Sequence, residues 1–290
     1  MSIARQLIKK YKPQGQAGFL GAGHEARPVV SGPFIQTDPF IYLMDDILDK
    51  KDNIPVGGPH PHAGFETVSL LLQGSFGDEK HHMKEGDFEI MTAGSGIVHT
   101  ETLEKKAKLR WLQLWLNLPK KDRWAAPRVQ NMSFKHVPTS NEHGVKIHLY
   151  SGSLAGLTSP VQNYSPLIVA NITINAGVTT VQQLPANYNT FLYVIEGSVK
   201  IGMGEKQLHK DEVGWLNLSE ETSESDLKLT AGEAGVNFVL YAGKPTGDEI
   251  VSHGPFIADT AEEIQQLYQE YRRGKINHIT TVPEERKIKW

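Results

Sequence analysis

The chain contains no cysteine. That absence excludes disulfides, thiolate nucleophiles, cysteine-ligated zinc and iron–sulfur clusters, so any metal must be held by His, Asp or Glu. No apolar run reaches the roughly 18 to 20 residues that cross a bilayer. The opening Met-Ser-Ile-Ala-Arg-Gln-Leu-Ile-Lys-Lys-Tyr has no apolar stretch of signal-peptide length. A soluble, cytoplasmic protein without a membrane partner is the expectation. Excess charge is lacking too: 30 Lys and Arg against 33 Asp and Glu leave −3, which argues against a nucleic-acid surface. There is no G-x-S-x-G elbow for a serine hydrolase triad. Gly94-Ser95-Gly96 lacks the Lys-Ser/Thr of a phosphate loop.

What the sequence holds is enough chain, 290 residues, for two domains of about 150 residues each. Turn residues recur at short intervals: Gly57-Gly58-Pro59, Gly74, Gly86-Asp87, Gly94-Ser95-Gly96 and Leu118-Pro119. Runs rich in β-branched and aromatic residues lie between them, the signature of an all-β sandwich or barrel. An internal repeat supports two copies of one β fold. Thr67-Val-Ser-Leu-Leu-Leu-Gln-Gly74-Ser75 resembles Thr190-Phe-Leu-Tyr-Val-Ile-Glu-Gly197-Ser198 at an offset of 123 residues. The polar stretch 134–144, with Pro138, reads as the linker, giving domains over 1–135 and 145–290. One helix is expected near 260–273. Thr260 and Glu263 form a capping box, Ile264, Leu267, Tyr268 and Tyr271 form an apolar stripe, and Gly274 is the stop. The five tryptophans, Trp111, Trp115, Trp124, Trp215 and Trp290, read as core or interface.

Five of the twelve histidines fall between His60 and His99: these two with His62, His81 and His82. On a strand, residues two apart share a face. His60, His62, Gly64, Glu66, Val68, Leu70 and Leu72 would then share one, and Ile97, His99, Glu101 and Leu103 another. Imidazoles and a carboxylate converging inside a barrel suit a divalent transition ion with positions left open for water, substrate or dioxygen. His81 and His82 are adjacent, so they diverge on a strand, and they read as loop residues outside the site. The repeat is an internal control. His60, His62 and Glu66 map onto Gln183, Pro185 and Asn189, while His99 and Glu101 map onto Ser223 and Ser225. Only the first half looks metal-competent.

His60-Pro-His62-Ala-Gly-Phe-Glu66-Thr-Val, followed by Gly86-Asp-Phe-Glu-Ile-Met-Thr-Ala-Gly94-Ser-Gly96-Ile-Val-His99-Thr-Glu101, resembles the pirin family of bicupins. So do Leu112-Gln-Leu-Trp115-Leu-Asn-Leu-Pro119 and His253-Gly-Pro-Phe-Ile257. The resemblance implies two cupin-type β-barrels (double-stranded β-helices) with a short C-terminal helix, an N-terminal metal-binding domain and a metal-free C-terminal one. It implies His60, His62, His99 and Glu101 as ligands of one divalent ion, usually iron(II). The donor set alone also admits nickel, cobalt, copper, manganese or zinc.

The implied activity is that of a quercetin 2,3-dioxygenase, an oxidoreductase cleaving a flavonol with dioxygen, with Glu101 as the base that takes the substrate's hydroxyl proton. Val68, Leu70 and Leu72 would line the pocket for a small aromatic substrate. The other reading of the same resemblance is an iron-dependent, redox-sensing regulator that binds a protein partner. The general cupin motif puts a ligand glutamate at Glu66, the pirin pattern at Glu101, so Glu66 is either a ligand or a group orienting an imidazole. Ser95 stands where pirins usually carry arginine, and Asp78-Glu-Lys-His81-His82-Met departs from the usual turn. Both bear on substrate choice.

Overall fold

The structure, a computed structural model, describes residues 3–77, 82–204 and 206–290. It is all-β, as the turn spacing implied, but the chain divides differently from the expected 1–135 and 145–290. One compact unit combines Met1–Pro13 with Val137–Pro245, the other Gln14–His136 with Thr246–Trp290. Strand pairing at both ends explains the exchange. Leu7–Tyr11 pairs antiparallel with Val213–Leu216, and Ile3–Ala4 runs parallel to Glu224–Gly243. Lys287–Lys289 pairs parallel with Arg128–Met132. Such short strands leave no readable period in the sequence. Part of the expected linker is itself a strand, Thr139–Glu142, paired with Val145–Ser151.

The unit built around Val137–Pro245 is a ten-stranded sheet in which Glu224–Gly243 pairs with both Leu167–Ile174 and Asn189–Ile201. Its core is aliphatic, with Leu149, Ile172, Leu192, Val194, Leu227, Phe238 and Leu240 among its buried side chains. Arg5 is fully buried there, donating to the carbonyls of Ala186 and Tyr188 at 2.8 Å each. Ser225, one of the positions the repeat aligns with the first-half site, donates to the Leu184 carbonyl at 2.7 Å. It satisfies a local backbone acceptor.

In the other unit the main sheet has eight strands, with Phe65–Gln73 flanked by Phe88–Thr92 and Ala107–Asn117. The pair His60–His62 and Ile97–His99 forms a separate ribbon. His82 lies on a short exposed strand, His82–Lys84, paired with Ser75–Gly77, rather than in a loop. His81 lies outside the described residues.

Arg123 ties the returning C-terminal segment to this unit. Fully buried, it donates to Asn117 Oδ1 at 2.6 Å, to the Gly64 carbonyl and to Asp259. The expected helix is present over Ala261–Arg272. The Thr260 hydroxyl accepts from the Glu263 N–H, and the Glu263 carboxylate accepts from the Thr260 N–H. Thr260→Ala should cost about 1 kcal/mol of local helix stability. Faster amide exchange in the first turn, with exchange elsewhere unchanged, checks it. Among the described residues no helix is long and apolar enough to cross a membrane.

Candidate metal centre

Two paired strands bring three of the four expected ligands together. In the ribbon, His60 lies opposite His99 and His62 opposite Ile97. The ligand-capable atoms of His60, His62 and His99 all fall within 4.8 Å of one another. His60 Nδ1 sits 3.0 Å from the Gly58 carbonyl. A carbonyl can only accept, so the proton is on Nδ1 and the Nε2 lone pair faces the cluster. That Nε2 is 2.8 Å from His99 Nε2, close to the spacing of about 3 Å between neighbouring ligand nitrogens on an ion with 2.0–2.1 Å bonds.

His62 is the most informative of the three. It is 3% exposed, and neither ring nitrogen has a hydrogen bond of normal geometry. Burial lowers its pKa to about 3, His60 adds to the shift, and the Pro255 carbonyl opposes it weakly. The ring is therefore neutral at physiological pH, the form that ligates a metal. A buried polar ring with no well-formed hydrogen bond is costly unless something fills the gap. The residues fit a divalent ion: three imidazoles converge, and neither His62 nitrogen has a well-formed partner.

Glu101 follows the ribbon and is held from both sides. Thr100 Oγ1 is 3.0 Å from His278 Nε2, and Thr102 Oγ1 donates to the Gly57 carbonyl. Its carboxylate accepts from Gln113 Nε2 at 3.0 Å. Glu101 is not within the three-histidine cluster itself.

The strand-face assignment around Glu66 needs correction. His60–His62 and Phe65–Gln73 are separate strands, broken at Gly64 with φ +84°, so the two-residue alternation does not carry across. His62 packs on Phe65 and Trp115, with ring centroids 5.2 and 5.3 Å away, and those two rings stack at 4.3 Å. Trp115 pairs with Thr67, whereas Val68 pairs with Leu114 and Leu70 with Leu112. Val68, Leu70 and Leu72 thus share the sheet face opposite Trp115. Glu66 goes with them. It accepts from Thr92 Oγ1 at 2.6 Å and has Arg128 at 3.9 Å, so its partners lie away from the imidazoles.

The face that meets His62 carries Phe65, Thr67 and Ser69 on one strand, and Gln113 and Trp115 on the next. The sequence reading takes Trp115 as core or interface and assigns no role to Gln113, Phe65 or Pro255. The alternation of Leu112, Leu114 and Leu116 with Gln113 and Trp115 was the available signal.

An all-β chain with two repeated sheets, one bearing a convergent set of imidazoles, is a bicupin. Residues 24–116 match the family described as Pirin, and residues 169–277 the family described as Pirin C-terminal cupin domain. The chain is 32% identical over 290 residues to a pirin-like protein of Solanum lycopersicum, covering 94% of each. It is 33% identical over 267 residues to Pirin of Homo sapiens, covering 88% of this chain and 89% of that protein. Among solved structures, a quercetin 2,3-dioxygenase from Acinetobacter baumannii superposes with a TM-score of 0.80 at 26% identity, covering 94% of this chain and 98% of that one. The chain belongs to the pirin family.

Proposed function

We propose that this protein is a metal-dependent oxidoreductase of the quercetin 2,3-dioxygenase type, acting on a flavonol or similar aromatic that presents a hydroxyl beside a carbonyl. The observation that carries the reading is the buried, neutral His62 ring, with no hydrogen bond of normal geometry, converging with His60 and His99. The likeness to the Acinetobacter baumannii enzyme supports the substrate class. His60, His62 and His99 would hold a divalent ion with Glu101 as the fourth ligand. Such an ion, when bound, polarises substrate oxygens and lowers the pKa of a hydroxyl it touches.

The chain's own groups do the rest. Glu101 takes the hydroxyl proton on its carboxylate, which accepts from Gln113 Nε2. Trp115, partly exposed beside His62 and backed by the buried Phe65, gives a flat aromatic a ring to pack against. The second unit stands as metal-free in this reading, with Gln183, Pro185, Ser223 and Ser225 at the matching positions.

The test is oxygen uptake matched to loss of flavonol absorbance, with protein loaded in turn with iron(II), nickel, cobalt, manganese, copper and zinc. Equimolar consumption of both is expected with at least one metal. Glu101→Gln should lower turnover by on the order of 10²-fold with less effect on metal content. An unchanged absorbance with every metal would move the function to the redox-responsive, partner-binding reading.

A further inference from the structure

We infer that Gln113 is a positioning residue for the metal centre, acting through Glu101. This rests on the reading of Glu101 as a ligand and base, and it assigns a role to a side chain on a different strand.

Gln113 lies in the middle of Ala107–Asn117, the strand next to Phe65–Gln73. Its neighbours two residues away are Trp111 and Trp115, and Trp115 packs against His62. The strand's other face is Leu112, Leu114 and Leu116, all fully buried. The residues opposite Gln113 are Met44 and Ser69. A half-buried amide in such a strand is costly unless its polar atoms are matched, and its Nε2 is matched by Glu101 Oε1 at 3.0 Å. An ionised carboxylate only accepts, so the amide orientation is settled: nitrogen faces Glu101.

The chemistry of the donor is the point. Three other acidic groups in this unit meet arginine: Asp45 with Arg110, Glu66 with Arg128, Asp259 with Arg123. A guanidinium orients a carboxylate and also offsets its charge. An amide orients it by a charge-assisted hydrogen bond and adds no charge, so the carboxylate keeps its full attraction for a cation. Gln113 holds one oxygen of Glu101, which restricts how the carboxylate can rotate and so how the other oxygen is presented. Strand alternation supplies the reach: Gln113 shares its face with Trp115, and Trp115 touches His62.

The test is a double-mutant cycle read on binding of cobalt(II) ion alone, by calorimetry and by its visible spectrum, with no substrate present. Gln113→Met keeps length and removes the donor. It should weaken cobalt binding about 10- to 100-fold, the usual loss on removing a group that orients a ligand. The d–d spectrum should move to that of Glu101→Gln. In the Glu101→Gln background the same change should alter affinity by less than about 3-fold, since additivity fails for residues acting through one contact. Gln113→Leu provides a second donor-free variant should the Met protein not fold.

Equal losses in both backgrounds would show that Gln113 acts independently of Glu101 and overturn the inference. So would wild-type affinity in Gln113→Met. If Glu101→Gln binds cobalt as wild type does, this inference fails while the three-histidine centre stands. If the wild-type protein binds no cobalt, the centre itself fails.

Discussion

His62→Ala is expected to abolish stoichiometric metal, lowering affinity by more than the 10- to 100-fold typical of losing a group outside the coordination sphere. The reason is geometric. His62 occupies the buried apex of the cluster against Phe65 and Trp115, and no other described His, Asp or Glu joins the group of three. Elemental analysis of protein purified without chelator reads the result, and full retention of metal would sink the assignment.

The same substitution has a second readout in metal-free protein. The His62 pKa falls from 6.5 unfolded to about 3 folded, chiefly through burial. Between those values the unfolded chain takes up a proton that the folded one refuses. Stability from this source is therefore intact above pH 6.5 and declines as pH falls toward 3. His62→Ala should flatten that part of a urea-unfolding profile taken against pH. An unchanged slope would mean that other groups set the acid sensitivity.

Gly64→Ala should be strongly damaging although the added group is small. A Cβ at residue 64 would lie 1.9 Å from the Ile257 carbonyl oxygen, and φ there is +84°. The left-handed conformation alone costs about 1–2 kcal/mol for an L-residue. The clash is with backbone, which has no rotamer to retreat into. The peptide is also pinned: Gly64 N–H donates to the Gly94 carbonyl, its carbonyl accepts from Arg123, and the Ile257 N–H donates to Ala63. A loss of at least about 3 kcal/mol is expected, the range of changes that break a packed backbone contact. A midpoint shift worth less than about 1 kcal/mol in urea would show that the segment adapts freely.

Much of this was legible in the residues. The capping box at Thr260 and Glu263 gave the helix to within a residue, because capping chemistry is local. The repeat located strands that prove to be Phe65–Gln73 and Asn189–Ile201, since each is long enough to carry a hydrophobic pattern. Three histidines converge as their spacing suggested. The lining of the site was misread because a glycine turn resets strand parity, and nothing in a two-residue alternation marks Gly64 as a break. Gln113 was missed for another reason: its partner, Glu101, lies twelve residues away and meets it only through tertiary folding, which local sequence does not encode. The unit boundaries escaped on the same ground, through edge strands only two to five residues long.

The exchanged termini have a consequence for the order in which the molecule is made. The ribosome delivers His60, His62, His99, Glu101 and Gln113 early, yet Phe256, Ile257 and Asp259, which bond to Ala63 and Arg123, arrive only after the whole Val137–Pro245 stretch has been translated. The nascent histidine strand therefore waits, with one edge uncovered, through the synthesis of an entire second unit. A chain halted or clipped before residue 246 would carry the three histidines without the segment that bonds to Ala63 and Arg123 beside them.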